Sequence, residues 1–455
     1  MRRSKIMCLL MLIVVLCTAC GKEAEVPENS ATKAPAESAG EVLEGTTPAD
    51  KEKPGADSEE SLTPTTNEEL FNFITEKWKK QEADDLFEYA GKELQVLMDK
   101  EDFAGVFKGL SAIGGELLDI SDIQVISSMG TDVYTSVVEF ENVTLDWQVS
   151  MKNVKLTGFT YNIHFKDPFE IKHENGIVEK YFVFQNDGYE LNAVYTYVDD
   201  GEKHPAVLLI AGSGPSDYNE TVGLLAPFQD MALGMAQRGV NTLRMDKRTL
   251  RASAEDRIGM EEEYYADCRA GIAFLKEQNI SNLYLLGHSL GGQIATKLAA
   301  EDLEIDGMIL FNSTPRHLAD VACDQYMAMD PFNKKTYQAY AEAAKAVQDG
   351  DVQGYYYFGA DDYYWATYNK LNTLANINDA NVRTLIVNST YDNQIFQADM
   401  DMWNAELAEK ENVTIHIYDD ISHFGHKINT KDATAIYKKA DFPEELLNEF
   451  ADFCE

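Results

Sequence analysis

The feature that most constrains the fold of this chain is a serine in a glycine-rich turn between an apolar strand and a helix. The turn, G-H-S-L-G-G at residues 287–292, follows the apolar run Leu283–Leu286 and precedes the helical segment Gln293–Ala300. Small residues on both sides let the strand and the helix pack closely, while the sharp turn exposes the hydroxyl. The pattern predicts that Ser289 is a nucleophile. The alternative is a glycine-rich turn that only lets a helix pack against a strand.

Apolar strands alternate with helical segments from about residue 166 to residue 455. An antiparallel pair, Glu179–Phe184 and Leu191–Tyr197, comes first. Six more strands are predicted at Ala206–Ile210, Asn241–Met245, Leu283–Leu286, Gly307–Phe311, Thr384–Val387 and Thr414–Tyr418. Helices are predicted at Leu225–Arg238, Tyr264–Gln278, Gln293–Ala300 and Met402–Glu409. This alternation predicts an α/β fold with a mostly parallel sheet whose two faces are covered by helices.

The order of these elements and the turn around Ser289 resemble the α/β-hydrolase family over about 290 residues. A serine nucleophile needs a base within hydrogen-bond reach and a carboxylate that orients the base. In this family they follow in the chain order serine, acid, histidine. Asp392, in the turn after Thr384–Val387, matches the acid, and His423, in the loop after Thr414–Tyr418, matches the base. Competing residues are His288, His416, His426, Asp419 and Asp420.

Two backbone amides are predicted to bind the oxyanion of a tetrahedral intermediate. One belongs to Leu290, the residue after the nucleophile. The other belongs to Ser213, in the loop A-G-S-G-P-S-D at residues 211–217, which resembles the H-G-S-G-P loop of certain bacterial esterases. Ala211 stands where histidine is usual, which leaves these main-chain donors unchanged. The segment Leu243–Arg248 resembles a family segment that is structural or lines the pocket, and no catalytic role is assigned to it.

An aromatic-rich insertion separates the strands Gly307–Phe311 and Thr384–Val387, at about residues 315–380. In the family that the chain resembles, this stretch commonly forms a helical cap over the site. An aromatic cap would enclose an apolar substrate group and exclude water. The alternative is that most of these aromatic side chains only pack the cap against the core.

The N-terminus predicts export. A basic start and the apolar run Ile6–Leu16 indicate a signal peptide over residues 1–19, and the small residues before Cys20 resemble the lipobox of bacterial lipoproteins. The resemblance implies a lipid on Cys20 and anchoring to the outer face of the cytoplasmic membrane or the cell envelope. Residues 20–65 have the composition of a disordered tether. A plain signal peptide and a cytosolic protein are the alternatives.

A small α+β domain is predicted over residues 66–165, before the hydrolase-like domain at 166–455. One helical segment begins near Asn67, and strand-like alternation follows at 123–126, 134–140, 143–149 and 156–163. The layout resembles cystatin-like or NTF2-like domains that precede hydrolase domains in some bacterial lipoproteins. No catalytic constellation is evident in it, so its role is open.

Charge and cysteine content exclude several functions. The formal net charge of −38 argues against nucleic-acid binding and against electrostatic adhesion to anionic lipid. Cys268, Cys323 and Cys454 are too few and too widely spaced for a disulfide framework or a metal site, although one bridge is conceivable. The oligomeric state is open.

The sequence thus predicts a serine hydrolase that cleaves carboxylic esters, with small or medium acyl groups, through Ser289, Asp392 and His423. Such a reaction needs no metal or organic cofactor. A peptidase or thioesterase of the same fold is an alternative, because fold alone does not choose the substrate. A non-catalytic envelope binding protein is the alternative from a different class.

Overall fold

The computed structural model describes residues 63–455 except 129, 254–255, 330–333, 353, 355 and 431–439. The predicted signal peptide, Cys20 and nearly all of the predicted tether therefore lie outside the described residues. The described chain divides into two compact units, with the boundary between His164 and Phe165. Within the described residues, no helix is both long enough and apolar enough to cross a membrane.

The first unit combines helices with a four-stranded sheet. Its helices are α1 (Asn67–Lys79), α2 (Lys92–Leu97) and α3 (Lys100–Gly114), with a 3₁₀ turn at Ala83–Tyr89. Its strands, β1 (Leu117–Ser128), β2 (Thr131–Phe140), β3 (Val143–Met151) and β4 (Leu156–Phe165), lie in sequence order, and the first three pair antiparallel. Every second residue of β3 is buried, so one face of the sheet packs on the helices. Trp78 of α1 lies in that core, against Phe107 and Trp147.

The second unit contains one nine-stranded sheet. The strands are β5 (Phe169–Lys172), β6 (Ile177–Asn186), β7 (Tyr189–Val198), β8 (His204–Ile210), β9 (Asn241–Met245), β10 (Ile280–His288), β11 (Gly307–Phe311), β12 (Arg383–Ser389) and β13 (Val413–Tyr418). Their spatial order is β13-β12-β11-β10-β8-β9-β7-β6-β5. From β9 to β13 all neighbours are parallel, whereas β5 to β7 form an antiparallel extension. The mostly parallel sheet predicted from the sequence is confirmed.

Helices cover both faces of this sheet. They are α4 (Pro227–Ala236), α5 (Ala266–Lys276), α6 (Leu290–Ala299), α7 (Leu318–Met329), α8 (Lys334–Asp349), α9 (Asp362–Tyr368), α10 (Thr373–Ala380), α11 (Gln397–Leu407) and α12 (Glu444–Cys454). Along β8, Leu208 and Ile210 pack in the cluster that includes α5 and α6. Val207 and Leu209 pack in the opposite cluster with α4 and α12. A strand with helices on both sides must be apolar at every position, which explains the uninterrupted apolar runs.

In the part of the predicted cap segment that the structure describes, four helices, α7 to α10, lie between β11 and β12. Trp365 and Tyr368 are buried in the main core, whereas Tyr326 and Tyr356 are 37% and 51% exposed. Some of the aromatic side chains therefore pack the insertion onto the sheet layer. The Tyr368 hydroxyl donates to Gln293 Oε1 at 2.7 Å, which ties the insertion to α6 directly behind the serine turn.

The three cysteines among the described residues are free thiols. Cys268 in α5, Cys323 in α7 and Cys454 in α12 are all buried, and none forms a disulfide. Burial raises the pKa of Cys454 to about 12 and raises that of Cys268 further, because the apolar surroundings disfavour a thiolate. The disulfide that the sequence left open is absent among these three residues.

Candidate active site

The turn after β10 holds Ser289 in a strained backbone conformation. Its φ of 54° and ψ of −122° are disfavoured for a residue with a side chain. A Cβ on Gly287 would lie 2.1 Å from the carbonyl oxygen of Gly291, and a Cβ on Gly291 would lie 2.1 Å from that of Ile210. Only glycine fits at these two positions. Ser289 is partly exposed between two buried neighbours, so the turn presents its side chain at the carboxyl edge of the sheet.

The predicted acid and base are in contact. Asp392 lies in the turn after β12, and His423 lies in the loop after β13. His423 Nδ1 is 2.7 Å from Asp392 Oδ2, and both side chains are buried. The other oxygen, Asp392 Oδ1, accepts the backbone N–H groups of Gln394 at 2.7 Å and Ile395 at 3.0 Å. An Nδ1–H that donates to the carboxylate leaves Nε2 as the basic nitrogen of His423.

The competing histidines pair with other carboxylates. His416 Nδ1 is 2.9 Å from Glu449, and His426 Nε2 is 2.9 Å from Asp230. His288 Nδ1 is 2.9 Å from Glu220, in an ion-pair contact rather than a well-aligned hydrogen bond. Burial opposes the charging of His288, but Glu220 and the carbonyl of His423 raise its pKa above the ordinary value.

The loop that carries His423 is held by His288, which the sequence offered only as a competing base, and by Asn312 and Ser389, which the sequence interpretation did not single out. The carbonyl oxygen of His423 accepts His288 Nε2–H and Asn312 Nδ2–H, both at 2.8 Å. Ser389 Oγ donates to the carbonyl of Ile421 at 2.7 Å. Asn312 follows β11 directly and Ser389 ends β12, at the same edge of the sheet as Ser289. Polar residues directly after apolar strands were the signal that could have found them.

The two predicted oxyanion amides belong to the residue after Ser289 and to a loop that lies against the Ser289 side chain. Leu290 is the first residue of α6, so its N–H has no intrahelical acceptor. A Cβ on Gly212 would lie 3.1 Å from the Cβ of Ser289, so the loop at 211–217 lies against the serine side chain. The N–H of Gly212 donates to Glu220 Oε1 at 2.7 Å and is occupied. Ser213 is exposed, and among the described residues no acceptor takes its N–H.

The carbonyl of Gly212 is held from the buried side. It accepts Lys247 Nζ at 2.8 Å and the Tyr264 hydroxyl at 2.5 Å. Lys247 is 6% exposed and lies 2.7 Å from Glu263 Oε1. Burial lowers the pKa of Lys247, and the Glu263 carboxylate opposes that effect. Lys247 belongs to the segment that the sequence interpretation left without a catalytic role, and the structure shows that it anchors the glycine-rich loop.

Comparisons with known proteins identify hydrolases. Residues 218–350 match the family of serine aminopeptidases called S33. The chain is 22% identical over 393 residues to esterase EstD of Thermotoga maritima. The aligned region covers 85% of this chain and 94% of that relative. Among solved structures, Est1E from Butyrivibrio proteoclasticus aligns with a TM-score of 0.42 and 14% identity, over 60% of this chain and 98% of that one. An esterase of Pyrococcus furiosus, Pf2001, aligns with a TM-score of 0.40 and 14% identity, over 63% and 95%.

The chain has the α/β-hydrolase fold. The parallel sheet with helices on both faces, the strand-turn-helix around Ser289 and the insertion after β11 agree with it. Both sequence matches are to hydrolases, so the prediction of a hydrolytic enzyme is confirmed.

Proposed function

We propose that this protein is a serine hydrolase that cleaves carboxylic esters of small or medium acyl groups. Ser289 is the nucleophile, His423 the general base and then acid, and Asp392 the carboxylate that orients the imidazole. The observation that carries the proposal is the buried 2.7 Å contact between His423 Nδ1 and Asp392 Oδ2, at the same sheet edge as the strained Ser289 turn. Similarity to an esterase over 94% of that relative's length supports the ester substrate.

The reaction proceeds in two steps. His423 Nε2 takes the proton of the Ser289 hydroxyl as its oxygen attacks the ester carbonyl, and the developing oxyanion accepts the N–H groups of Leu290 and Ser213. The tetrahedral intermediate collapses, His423 protonates the departing alkoxide, and an acyl-enzyme remains. Water, deprotonated by His423 Nε2, attacks the acyl carbon, the bond to Ser289 Oγ breaks, and His423 returns the proton to that oxygen as the acid leaves. Asp392 holds the Nδ1–H tautomer throughout and stabilises the imidazolium.

A lipid anchor and an extracytoplasmic location are part of the proposal. They rest on the signal-like segment at 1–19 and on Cys20, with residues 20–65 as a tether to the folded units. Mass spectrometry of the N-terminal peptide from the native membrane fraction tests this proposal. The expected peptide begins at Cys20 and carries the mass of a diacylglyceryl group, whereas an unmodified peptide that begins at Met1 contradicts it.

A peptidase of the same fold is the second candidate, because the matching family is described as serine aminopeptidases. An aminoacyl p-nitroanilide assayed beside a p-nitrophenyl ester series separates the two. An ester hydrolase prefers the esters by its kcat/KM, whereas a peptidase turns over the anilide at a comparable rate.

The deciding experiment combines turnover with active-site labelling. The full chain is assayed on p-nitrophenyl esters from short to long acyl, beside Ser289→Ala and His423→Ala. We expect Ser289→Ala to lower kcat by about 10⁶-fold, because the nucleophile and its base act as one unit. A fluorophosphonate probe should label Ser289 in the parent. Folded parent protein that neither hydrolyses esters nor reacts with the probe would instead favour the non-catalytic binding protein.

A further inference from the structure

The peptide bond between Gly212 and Ser213, near the nucleophile, has a carbonyl oxygen that accepts hydrogen bonds from two buried side chains. The carbonyl of Gly212 and the N–H of Ser213 belong to the same peptide bond. On its carbonyl side lie Lys247 Nζ at 2.8 Å and the Tyr264 hydroxyl at 2.5 Å. Just before it, the N–H of Gly212 donates to the buried Glu220. The same loop is also held at Ser216, whose carbonyl accepts the N–H of Lys247 at 2.9 Å.

The carbonyl contacts determine where the Ser213 N–H points. A trans peptide is planar, so its N–H and C=O point in opposite directions. The structure contains no cis peptide among the described residues. With the carbonyl directed at two buried donors, the Ser213 N–H is directed to the exposed side of the loop, where Gly212 lies against Ser289. Lys247 and Tyr264, on the buried side of the loop, therefore determine the direction of the Ser213 N–H.

The same contacts also change the strength of the donor. Hydrogen bonds in a chain polarise one another, by roughly 10–30% per bond. Here the carbonyl oxygen accepts from an amine that is ion-paired with Glu263 at 2.7 Å, and from a phenol. Burial raises the pKa of Tyr264 well above its ordinary value, so this hydroxyl stays a donor at working pH. Electron density drawn to the carbonyl oxygen leaves the N–H on the other end more positive.

We propose that Lys247 and Tyr264 are positioning residues that orient and polarise the Gly212–Ser213 peptide for oxyanion binding. The inference rests on the proposed hydrolase function and deepens it. It assigns a role in transition-state stabilisation to two side chains that touch neither the substrate nor the reacting atoms. Their effect is therefore expected on the tetrahedral state and not on substrate binding.

Two variants test this role without leaving a buried charge unpaired. Tyr264→Phe removes one donor to the Gly212 carbonyl and keeps the ring. Lys247→Met combined with Glu263→Gln removes the ion pair as a whole, because the loss of one partner alone would strand a buried charge. Tyr195→Phe is the matched control, since Tyr195 is also buried and its hydroxyl accepts Asn241 Nδ2 at 3.2 Å, in β7 away from the serine turn.

Three quantities are measured for each variant: kcat and KM on a short p-nitrophenyl ester, and the inhibition constant of an alkyl trifluoromethyl ketone. The ketone forms a tetrahedral adduct with an oxyanion, so it reports on the oxyanion donors. Tyr264→Phe removes the bond from the hydroxyl to the Gly212 carbonyl and the bond that the hydroxyl accepts from Lys247 Nζ at 2.6 Å. We expect kcat to fall about 3- to 10-fold with an unchanged KM, because only the first of these bonds acts on the carbonyl directly. For the double variant we expect a fall of about 10- to 100-fold, still short of the loss of a whole oxyanion donor.

The inhibition constant of the ketone should rise by the same factor as kcat/KM falls, while Tyr195→Phe stays at the parent values. Thermal unfolding of each variant identifies any protein that has lost its fold. If a folded Tyr264→Phe and a folded double variant bind the ketone as tightly as the parent does, the positioning role is overturned. If the parent itself neither hydrolyses the ester nor binds the ketone, the proposed function has failed instead.

Discussion

Both units contain histidine–carboxylate contacts, and the contact in the small unit differs in exposure and in length from that of His423 and Asp392 in the large unit. In the small unit, His164 Nε2 lies 3.2 Å from Asp146, with side chains that are 42% and 32% exposed. In the large unit, His423 Nδ1 lies 2.7 Å from Asp392, with side chains that are 3% and 0% exposed. Two backbone N–H groups hold the second oxygen of Asp392. A pair on an open sheet face is screened by water, whereas a buried pair with its own donors keeps one geometry.

The sheets explain this difference. Strand β3 of the small unit buries every second residue, so polar residues alternate along its exposed face. Every residue of β11 in the large unit is buried, because helices cover both faces. A strand of this kind can present polar chemistry only where it ends. Its neighbours β10 and β12, and the edge strand β13 beside β12, end in the segments that carry Ser289, Asp392 and His423.

The largest expected effect tests the contrast directly. Asp392→Asn should lower kcat on esters by about 10⁴-fold, because an amide that donates to Nδ1 forces the proton onto Nε2 of His423. The fold should persist, since Asn Oδ1 can still accept from Gln394 and Ile395. The same substitution in the small unit, Asp146→Asn, should leave kcat unchanged. Steady-state kinetics of the two variants measures kcat. An equal loss of kcat in both would contradict the different roles of the buried and the exposed pair.

Substitution of a glycine in the serine turn should lower kcat by an intermediate factor. Gly287→Ala places a methyl group 2.1 Å from the Gly291 carbonyl, so the turn must shift and kcat should fall about 10²-fold. Overpacking should also cost about 1–3 kcal/mol of stability. The control is Gly109→Ala in α3, where a Cβ meets nothing within 4 Å. There, alanine should stabilise the helix by about 1 kcal/mol and leave turnover alone. Denaturant unfolding measures the free energy of unfolding of both variants, which should fall for Gly287→Ala and rise for Gly109→Ala. Ester kinetics should show a loss of kcat for Gly287→Ala alone.

The smallest expected effect on turnover comes from the core of the small unit. Trp78 is 1% exposed and packs against Phe107, Phe140 and Trp147. Trp78→Ala should cost that unit about 3–5 kcal/mol, the usual range for a buried aromatic side chain. Ester turnover at temperatures below its unfolding should equal that of the parent. A calorimetric scan that shows one transition moving down while turnover is preserved is the expected result, and a parallel loss of kcat would show that the units act together.

Local patterns in the sequence were enough to predict the large sheet and the contact between Asp392 and His423. Apolar runs mark strands, and the order of serine, acid and histidine follows from the resemblance to a known fold. Local patterns predicted helix boundaries less well. Helix α11 begins at Gln397 rather than at Met402, because Asp399 accepts the N–H of Phe396 at 2.8 Å. Helix α6 begins at Leu290 rather than at Gln293, directly after the serine turn.

The contacts that hold the His423 loop and the glycine-rich loop could not be predicted from the sequence, because the residues that make them are far apart in the chain. His288 reaches the carbonyl of His423, 135 residues later, and Asn312 reaches the same atom from 111 residues away. Lys247 lies 35 residues after Gly212. No spacing rule encodes such contacts, since they depend on which strands become neighbours. The polar run after β11 indicated a site at the sheet edge but not the loop that it holds.

The three buried thiols can report local opening of the layers that cover the large sheet. Cys268 and Cys323 lie in the core on one side of the large sheet, Cys323 in the insertion and Cys268 in α5, while Cys454 lies in the core on the other side. Because each thiol is buried, we expect local opening of the layer around it to set the rate at which a thiol reagent modifies it. The labelling rate at Cys323 therefore times the lifting of the insertion, and the rates at Cys268 and Cys454 time the exposure of each sheet face. Opening of each layer can therefore be timed in the native chain without introducing a new cysteine.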